Sequence, residues 1–477
     1  MNSRIILQVT ATLLSLAVVA HSESPVKIAC IGASITAGAL LENPEMNSYP
    51  AQLQHLIGNT FQVTNFGESS CTLLRRGDHP YWNTTKYKQV LADKPDIVFI
   101  DLGGNDSKLV NRIYLHEFEK DYRDFIQSFK TLPTHPRIIL LLPIVSFVPD
   151  STQIWNPVIL NKIIPKIRRV AYDEGVEVID VYSLFINRPQ LLPDNIHPNL
   201  EGTTMIAKRL SEIILQQCDH DFHIFSRLNF SSQKTSSFYG YDCVDFDLKG
   251  HSCKIVKPKR VAINHPWIWR ARFWGHEPQA DIVLLERGFC LVYCDVSELF
   301  GNDKAVRIWN EFYSRMINAG LSRKVALEGM SRGAIYVYAW AVENPDKVAC
   351  VYVDNPVLDL MSWPGSQYRT SAASKNEWEI FKKDFQYTSD EEALKFRGSP
   401  MYKVEQIVRG RYPMLIVCAD EDEDVPPSEN TIPFEQKVRA FHGNITVIHK
   451  PGFKHHPHSL PDPTPIADFI LKAVNSQ

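Results

Sequence analysis

Two stretches of this sequence place a serine at the end of an apolar run, where its hydroxyl could be held out for chemistry. The first is CIGASITAG, residues 30–38, which contains Ser34. The second is VALEGMSRGAI, in which Ser331 lies between Gly329 and Gly333. A serine hydroxyl is a weak nucleophile until an imidazole accepts its proton and a carboxylate orients that imidazole. Each serine therefore needs a histidine and an acid to join it.

The short stretch PDNIHP offers both partners for Ser34. Asp194 and His197 are three residues apart, and Pro193 and Pro198 stand outside them. Prolines restrict the backbone, so one rigid loop could supply the base together with the carboxylate that fixes its tautomer. We expect Ser34, Asp194 and His197 to form a nucleophile, acid and base.

A tetrahedral oxyanion also needs preorganised hydrogen-bond donors, each worth roughly 3 kcal/mol of transition-state stabilisation in comparable sites. The stretch NFGESS contains Gly67, and LGGNDS contains Asn105. Each stretch follows a strand-like run, so all can meet at the carboxyl edge of one parallel sheet. The backbone N–H groups of Ser34 and Gly67 and the side-chain amide of Asn105 are the candidate donors.

These four stretches, in this order, resemble the SGNH, or GDSL-type, hydrolase family over residues 26–217. The resemblance implies that Ser34 is the nucleophile, that Gly67 and Asn105 are oxyanion donors, and that the acid and base are the pair named above. One departure is Ala33, which stands where many members of that family have an aspartate. That position has no direct role in the triad.

The setting of Ser331 is typical of a nucleophile elbow, in which an apolar strand passes through Gly-x-Ser-x-Gly into a helix. Acids follow a later apolar run in IVCADEDEDVPPSENT, and histidines follow the last run in VIHKPGFKHHPHSL. The chain order serine, acid, histidine agrees with the α/β-hydrolase fold.

Residues 238–477 resemble the α/β-hydrolase family, in particular its peptidase-like and carbohydrate-esterase branches. The resemblance selects Asp422 as the acid over Asp420 and Asp424. It selects His455 as the base, with His456 and His458 left open as alternatives. For the oxyanion donors it points to the backbone N–H of Arg332, directly after the nucleophile, and to that of Trp267.

The tract PWIWRARFWGHEP around Trp267 allows two interpretations. Three tryptophans interleaved with two arginines suit stacking on sugar rings and pairing with uronate carboxylates. The same residues could equally form a buried aromatic cluster packed on the sheet.

Apolar runs alternate with helical patterns along most of the chain, which predicts parallel strands covered on both faces. We expect an α/β fold class with two three-layer α/β/α domains, a flavodoxin-like domain over residues 26–217 and an α/β-hydrolase domain over residues 238–477. The polar, serine-rich residues 218–237 are predicted to be a linker.

The N-terminus has the layout of a secretory signal peptide at residues 1–20, which predicts a secreted or periplasmic protein; an uncleaved N-terminal anchor is the alternative. No integral membrane span is expected after signal removal. A net charge of −3 over 477 residues gives no reason to expect nucleic acid as a partner. No cofactor or metal is expected, and Cys243 with Cys253 is the best disulfide candidate, ahead of Cys71 with Cys218.

Together the two resemblances imply an exported bifunctional serine esterase that removes O-acetyl groups from polysaccharides or oligosaccharides, with methyl or other acyl esters as further substrates. Three alternatives stay open. The second domain could be a non-catalytic glycan-binding module that delivers a single active esterase. The chain could be a secreted lipase or thioesterase. The second domain could also be a peptidase.

Overall fold

The structure is a computed structural model that describes residues 24–228, 233–365 and 371–476. The signal peptide expected at residues 1–20 lies outside the described residues. Within the described ranges, none of the helices has both the length and the apolar character needed to cross a membrane.

The first domain is built on a parallel sheet. Its strands are β1 (Val26–Gly32), β2 (Phe61–Gly67), β3 (Ile97–Asp101), β4 (Arg137–Leu141) and β5 (Glu177–Ile179). Within the described chain they lie in the order β2-β1-β3-β4-β5, and every neighbouring pair is parallel. The inner strands are almost continuously buried, as strands covered on both faces must be. This strand order is that of flavodoxin-like folds.

Helices cover both faces of that sheet. They are α1 (Ser34–Ala37), α2 (Pro44–Asn47), α3 (Tyr49–Ile57), α4 (Thr85–Asp93), α5 (Leu109–Arg112), α6 (Phe118–Lys130), α7 (Asn156–Val158), α8 (Ile164–Glu174) and α9 (Leu200–Leu215). In α6, Phe118, Tyr122, Phe125 and Phe129 recur at three- and four-residue spacing and are buried, so one stripe of the helix packs on the sheet. Asn199 caps α9 by accepting a hydrogen bond from the Gly202 backbone N–H.

The second domain has a larger, mixed sheet. Its strands, with the short pair β6 and β10 outside the main sheet, are β6 (Cys218–Asp219), β7 (Gln233–Phe238), β8 (Tyr241–Leu248), β9 (His251–Lys257), β10 (Val261–Ala262), β11 (Trp267–Ala271), β12 (Cys290–Cys294), β13 (Val325–Met330), β14 (Val348–Asp354), β15 (Met414–Ala419) and β16 (Ile445–Lys450). The order in the described residues is β16-β15-β14-β13-β11-β12-β9-β8-β7. From β12 to β16 neighbours are parallel, and β9, β8 and β7 continue the sheet antiparallel.

Helices also flank this sheet on both sides. They are α10 (Ile224–Arg227), α11 (Gln279–Glu286), α12 (Asp303–Asn318), α13 (Gly333–Glu343), α14 (Ala372–Asp384), α15 (Asp390–Ala393), α16 (Val404–Arg409), α17 (Thr431–Ala440) and α18 (Thr464–Asn475). Two clusters of buried apolar side chains lie on its faces, and a third fills the first domain. The predicted fold class, two α/β domains with parallel sheets, is confirmed.

The segment predicted as a linker is structured where it is described. Strand β6 pairs with β10 of the second domain, and Phe222 and Ile224 are buried in that domain's core. Strand β7, which starts at Gln233, already belongs to the second sheet. The polar composition of this segment concealed its few apolar contacts, because edge strands keep many polar side chains in solvent.

The predicted disulfide between Cys243 and Cys253 is wrong, and so is that between Cys71 and Cys218, because all these thiols are free. Cys243 lies opposite Val256, whereas Cys253 lies opposite Cys294 on β12. Cys243 and Cys253 belong to the cores on opposite faces of the sheet, so their sulfurs cannot meet.

Candidate active sites

Ser34 lies at the turn from β1 into α1, at the carboxyl edge of the first sheet. Close packing requires glycine at position 32, two residues before the serine. A Cβ at Gly32 would lie 2.0 Å from Thr36 Oγ1 and 2.9 Å from the Asp101 carbonyl oxygen. Thr36 Oγ1 in turn donates to Asp101 Oδ2 at 3.2 Å, which ties the turn to the end of β3. Small side chains and a buried threonine therefore hold the serine at the strand end.

The loop between β5 and α9 brings Asp194 and His197 to that serine. His197 Nε2 lies 2.8 Å from Ser34 Oγ, and His197 Nδ1 lies 2.6 Å from Asp194 Oδ2. Asp194 Oδ1 also accepts hydrogen bonds from the backbone N–H groups of Ile196 and His197, at 3.0 and 2.7 Å. The carboxylate thus fixes both the loop and the imidazole tautomer that faces the serine.

The environment of Asp194 keeps this carboxyl ionised. Burial acts to raise its pKa, but the hydrogen bonds from the His197 ring and from the backbone N–H groups of His197 and Ile196 outweigh burial. The net pKa of Asp194 lies below its ordinary value. An ionised acid is what a histidine needs when it takes a proton from serine.

The two predicted oxyanion donors differ in availability. The Gly67 backbone N–H donates to Asn65 Oδ1 at 2.9 Å, so it is already engaged within its own strand. Asn105 is buried in the short helical turn after β3 and lines the same small cavity as Ser34. The side-chain amide of Asn105 is therefore the better placed donor of the two.

That cavity has a volume of about 30 Å³. Besides Ser34 and Asn105, its wall is mainly apolar, contributed by Pro143, Ile144, Val145, Ile154, Ile159 and Ile196. A space of this volume holds one or two groups the size of a water molecule or a methyl.

Ser331 lies at the sharp turn between β13 and α13. Its φ of 49° is in the left-handed region, which is unusual for a residue with a side chain. A Cβ at Gly329 would lie 2.7 Å from the Gly333 carbonyl carbon, and a Cβ at Gly333 would lie 2.8 Å from the Ala271 oxygen. Both glycines are thus needed for the turn that presents the Ser331 oxygen.

The second serine also has its histidine and acid. His455 Nε2 lies 3.0 Å from Ser331 Oγ, and His455 Nδ1 lies 2.6 Å from Asp422 Oδ2. Asp422 Oδ1 accepts hydrogen bonds from the backbone N–H groups of Asp424 and Val425. This arrangement repeats that of the first domain on a different fold.

The alternatives left open in the sequence have other contacts. His458 Nδ1 lies 2.8 Å from Asp354 Oδ1, away from the serine. Asp420 Oδ1 lies 2.6 Å from His449 Nδ1 instead of from His455. The structure therefore brings Ser331 together with His455 and Asp422, and not with His456, His458 or Asp420.

Trp267 is wrong as an oxyanion donor. It is the first residue of β11 and fully buried, whereas Ala271, the last residue of β11, is the one that packs against Gly333 beside the elbow. Residues that follow the strand, Arg272 and Phe273, lie at the correct end and both have positive φ. The strand runs from Trp267 to Ala271, so Trp267 lies at the end of the strand remote from Ser331.

Arg332, the other predicted donor, follows Ser331 directly and begins the turn into α13. Its guanidinium forms an ion pair with Glu377 of α14 and lies over the rings of Phe300 and Trp363. These contacts fix the residue whose backbone N–H would face an oxyanion at Ser331.

The aromatic tract around Trp267 is mainly a buried cluster. Trp267 and Trp269 are fully buried and stack on each other, with ring centroids 5.7 Å apart. Arg270 is 1% exposed and pairs with Asp281 and Glu328 inside the domain. Stacking of sugars on Trp267 or Trp269 is therefore excluded by burial.

A larger cavity, of about 700 Å³, lies between the two domains. The first domain contributes α8 residues, including Arg168 and Tyr172, and the second contributes Tyr239 and His458. The loop that carries His455 therefore borders a space large enough for a ligand of several rings.

Two groups of side chains in the described residues could hold a metal ion, and the sequence analysis missed both. They are His276 with His456 and His458, and Cys418 with Asp420 and His449. Residues of the first group come from loops about 180 positions apart, so spacing along the chain gives no signal for them.

Comparison with known proteins agrees with the geometry of the first domain. Residues 30–204 match the GDSL-like Lipase/Acylhydrolase family. An acetylxylan esterase of Xylanibacter ruminicola is 38% identical over 213 residues, which cover 41% of this chain and 43% of that protein. The alignment thus spans less than half the length of this relative. Residues 30–204 form a domain of the carboxylic ester hydrolase type.

Solved structures resemble about half of the chain at low identity. The S-formylglutathione hydrolase of Agrobacterium tumefaciens is 13% identical with a TM-score of 0.36, covering 52% of this chain and 98% of its own. Dipeptidyl peptidase 4 of Porphyromonas gingivalis is 12% identical with a TM-score of 0.37, covering 51% of this chain and 36% of its own. Nothing about activity follows from likenesses of this degree.

Proposed function

We propose that this protein is an exported serine esterase with two active sites, and that the first removes O-acetyl groups from a polysaccharide or oligosaccharide. The observation that carries the proposal is the unbroken set of contacts from Ser34 through His197 to Asp194. The match of residues 30–204 to an acylhydrolase family supports the same reaction.

In the first step, Ser34 Oγ attacks the ester carbonyl while His197 Nε2 takes the hydroxyl proton. The charge that develops on the carbonyl oxygen is stabilised by the Asn105 amide and the Ser34 backbone N–H. His197 then gives its proton to the departing sugar hydroxyl, leaving an acyl-enzyme. Water, activated by the same histidine, releases the acid and restores Ser34.

The size of the cavity beside Ser34 favours an acetyl group as the acyl part. A methyl group fits a volume of about 30 Å³, whereas a long acyl chain needs the apolar wall to open. This argues for an acetylesterase rather than for the lipase alternative.

The substrate class rests on the relative that is an acetylxylan esterase. By analogy we propose acetylated xylan or a related acetylated glycan for the first site. Export is proposed because residues 1–20 have the layout of a signal peptide, and N-terminal sequencing of the chain recovered outside the cytoplasm of an expressing host tests it.

For the second domain we propose an esterase of the same mechanism, with Ser331, His455 and Asp422 as nucleophile, base and acid. The contacts at 3.0 and 2.6 Å support catalysis over the non-catalytic binding module, which would have no need of the elbow conformation at Ser331. The substrate of this second site can be an acetyl ester, a methyl ester or an ester of a larger acyl group.

The deciding experiment compares wild type, Ser34→Ala, Ser331→Ala and the double variant. Each is assayed on p-nitrophenyl acetate, a longer-chain p-nitrophenyl ester, acetylated xylan and a methyl-esterified polysaccharide. We expect each single variant to lose a different part of the activity, and the double variant to lose all of it.

Other outcomes identify the alternatives. If Ser34→Ala alone removes all activity while glycan binding persists, the second domain is a binding module. If the longer-chain ester is preferred and xylan is not deacetylated, the chain is a lipase or thioesterase. Retention of acetyl release from xylan by Ser34→Ala would overturn the assignment of the first site.

A further inference from the structure

Three histidines meet beside the second active site without taking part in its triad. His276 lies in the loop after β11, and His456 and His458 lie in the loop after β16. One ring nitrogen of each comes within 4.8 Å of one nitrogen of each of the others. The three rings are nearly perpendicular to one another, at 76° to 88°.

The spacing of the rings suits a tetrahedral metal ion. With Zn–N bonds of about 2.0–2.1 Å, three imidazoles on a tetrahedral centre have ring centroids about 5.2 Å apart. The centroid distances here are 5.6 Å for His276 and His456, 6.0 Å for His276 and His458, and 4.9 Å for His456 and His458. Shifts of up to about 0.8 Å, mainly of the exposed His276, would close the site.

His458 has the second contact that metal-bound histidines usually make. Its Nδ1 lies 2.8 Å from Asp354 Oδ1, which leaves Nε2 for a metal. Asp354 is fully buried and is held by the Ser459 backbone N–H and the Tyr352 hydroxyl. A carboxylate held in this way orients the imidazole and raises its strength as a ligand.

Glu277 supplies an independent sign that a cation belongs here. Its Oε1 lies 3.8 Å from His276 Nε2, and its Oε2 is shielded from solvent with no hydrogen-bond partner among the described residues. A shielded carboxylate oxygen without a partner is costly, and a nearby cation would compensate it. The neighbouring cations, Arg270 and Lys450, already face carboxylates of their own.

We propose that His276, His456 and His458 bind a divalent transition-metal cation of the Zn²⁺ type at the rim of the Ser331 site. Imidazole ligands suit zinc, nickel and copper, and three protein ligands leave a fourth position open for water or a ligand. His455, whose ring centroid is 5.0 Å from those of His456 and His458, stays with Asp422 and Ser331.

The test is direct metal binding by the full-length, tag-free protein after chelator treatment. Zn²⁺ retained in equilibrium dialysis is measured by elemental analysis, and Co²⁺ is used as an optical probe of coordination. We expect one equivalent of Zn²⁺ in the wild type and at least tenfold weaker binding in His276→Ala and in His456→Ala. Both side chains are exposed, so these variants should fold.

Two further variants sharpen the result. His55→Ala, at an exposed helical position of the first domain, is the matched control and should bind like the wild type. Glu277→Gln should weaken binding about tenfold, the low end of the range for groups that support metal ligands. Equal retention of Zn²⁺ by the wild type and the His276→Ala, His456→Ala double variant would overturn the proposal, as would a loss in His55→Ala.

Discussion

Glu286 of the second domain accepts a hydrogen bond from the backbone N–H of Asp180 of the first, at 2.8 Å. The other oxygen of Glu286 forms an ion pair with Arg209, and both side chains are almost completely buried. Arg287, the next residue, pairs with Glu212 of the first domain at 2.7 Å. The domains are thus joined by buried charges as well as by apolar contacts.

Replacing Glu286 by glutamine should destabilise the protein. The backbone contact with Asp180 can persist, but Arg209 loses its buried partner and keeps only a longer contact, of 3.7 Å, with the partly exposed Glu212, so the loss should be about 3 kcal/mol. Denaturant unfolding measures the change. The control is Glu405→Gln, which breaks an exposed pair with Arg409 and should change stability by less than about 1 kcal/mol. Equal effects of the two substitutions would contradict a role for the buried pair.

Asp194→Asn should reduce kcat at the first site by about 10⁴-fold, because asparagine leaves the geometry intact but favours the wrong imidazole tautomer. Asp422→Asn should do the same at the second site. Steady-state kinetics on the substrate specific to each serine measures both effects. In each variant the other site provides the control, and a loss at both sites would point to misfolding instead.

Removing the Asn105 side chain should lower kcat at the first site by about 10²–10³-fold, the usual effect of losing one oxyanion donor. KM should change little, since the amide binds the oxyanion more strongly than the ground-state carbonyl. A variant with unchanged kcat would mean that the backbone donors suffice. Activity that depends on Ser331 should be unaffected.

Asp101 makes stability depend on pH. Burial raises its pKa from 3.8 to about 6, partly offset by the hydrogen bond from Thr36. Because the folded pKa is the higher one, the stabilising effect of neutral Asp101 is complete below about pH 3.8 and is lost as pH rises through about 6. The loss amounts to about 3 kcal/mol, an order-of-magnitude figure from the size of the shift.

Asp101→Asn removes that titration. The stability of the variant relative to the wild type should therefore rise by about 3 kcal/mol between pH 4 and pH 8. Urea unfolding at a series of pH values measures the difference in free energy of unfolding between the two proteins. Asp106, which is also buried, is present in both, so its pH-dependent contribution cancels in this difference. A difference that does not change with pH would show that folding leaves the pKa of Asp101 unshifted.

Much of this architecture can be predicted from local sequence pattern. Buried parallel strands such as β1 are continuous apolar runs, and catalytic motifs follow strand ends, so the proximity of Ser34 and His197 was predictable. Their roles are what the variants above test. Ser331 was marked by glycines on either side, since only glycine fits so tight a turn.

What could not be predicted depends on contacts between distant segments. Arg270 is a charged residue inside β11, where it can be buried because Asp281 and Glu328 neutralise it, and β11 therefore begins at Trp267, at the end remote from Ser331. The Gly67 backbone N–H donates a hydrogen bond to the Asn65 side chain, a contact that the sequence motif does not reveal. His276 meets His456 only through the order of strands in the sheet.

The backbone at Ser331 sets the two nucleophiles apart in evolutionary terms. A left-handed serine costs roughly 1–2 kcal/mol that glycine does not incur, so Ser331→Gly would make the second domain more stable. A lineage that no longer used this hydroxyl would gain by losing it, through a single substitution. Serine at position 331 lowers stability, so it would be retained only while its hydroxyl serves an activity. Ser34 begins a right-handed helical turn and carries no such conformational cost.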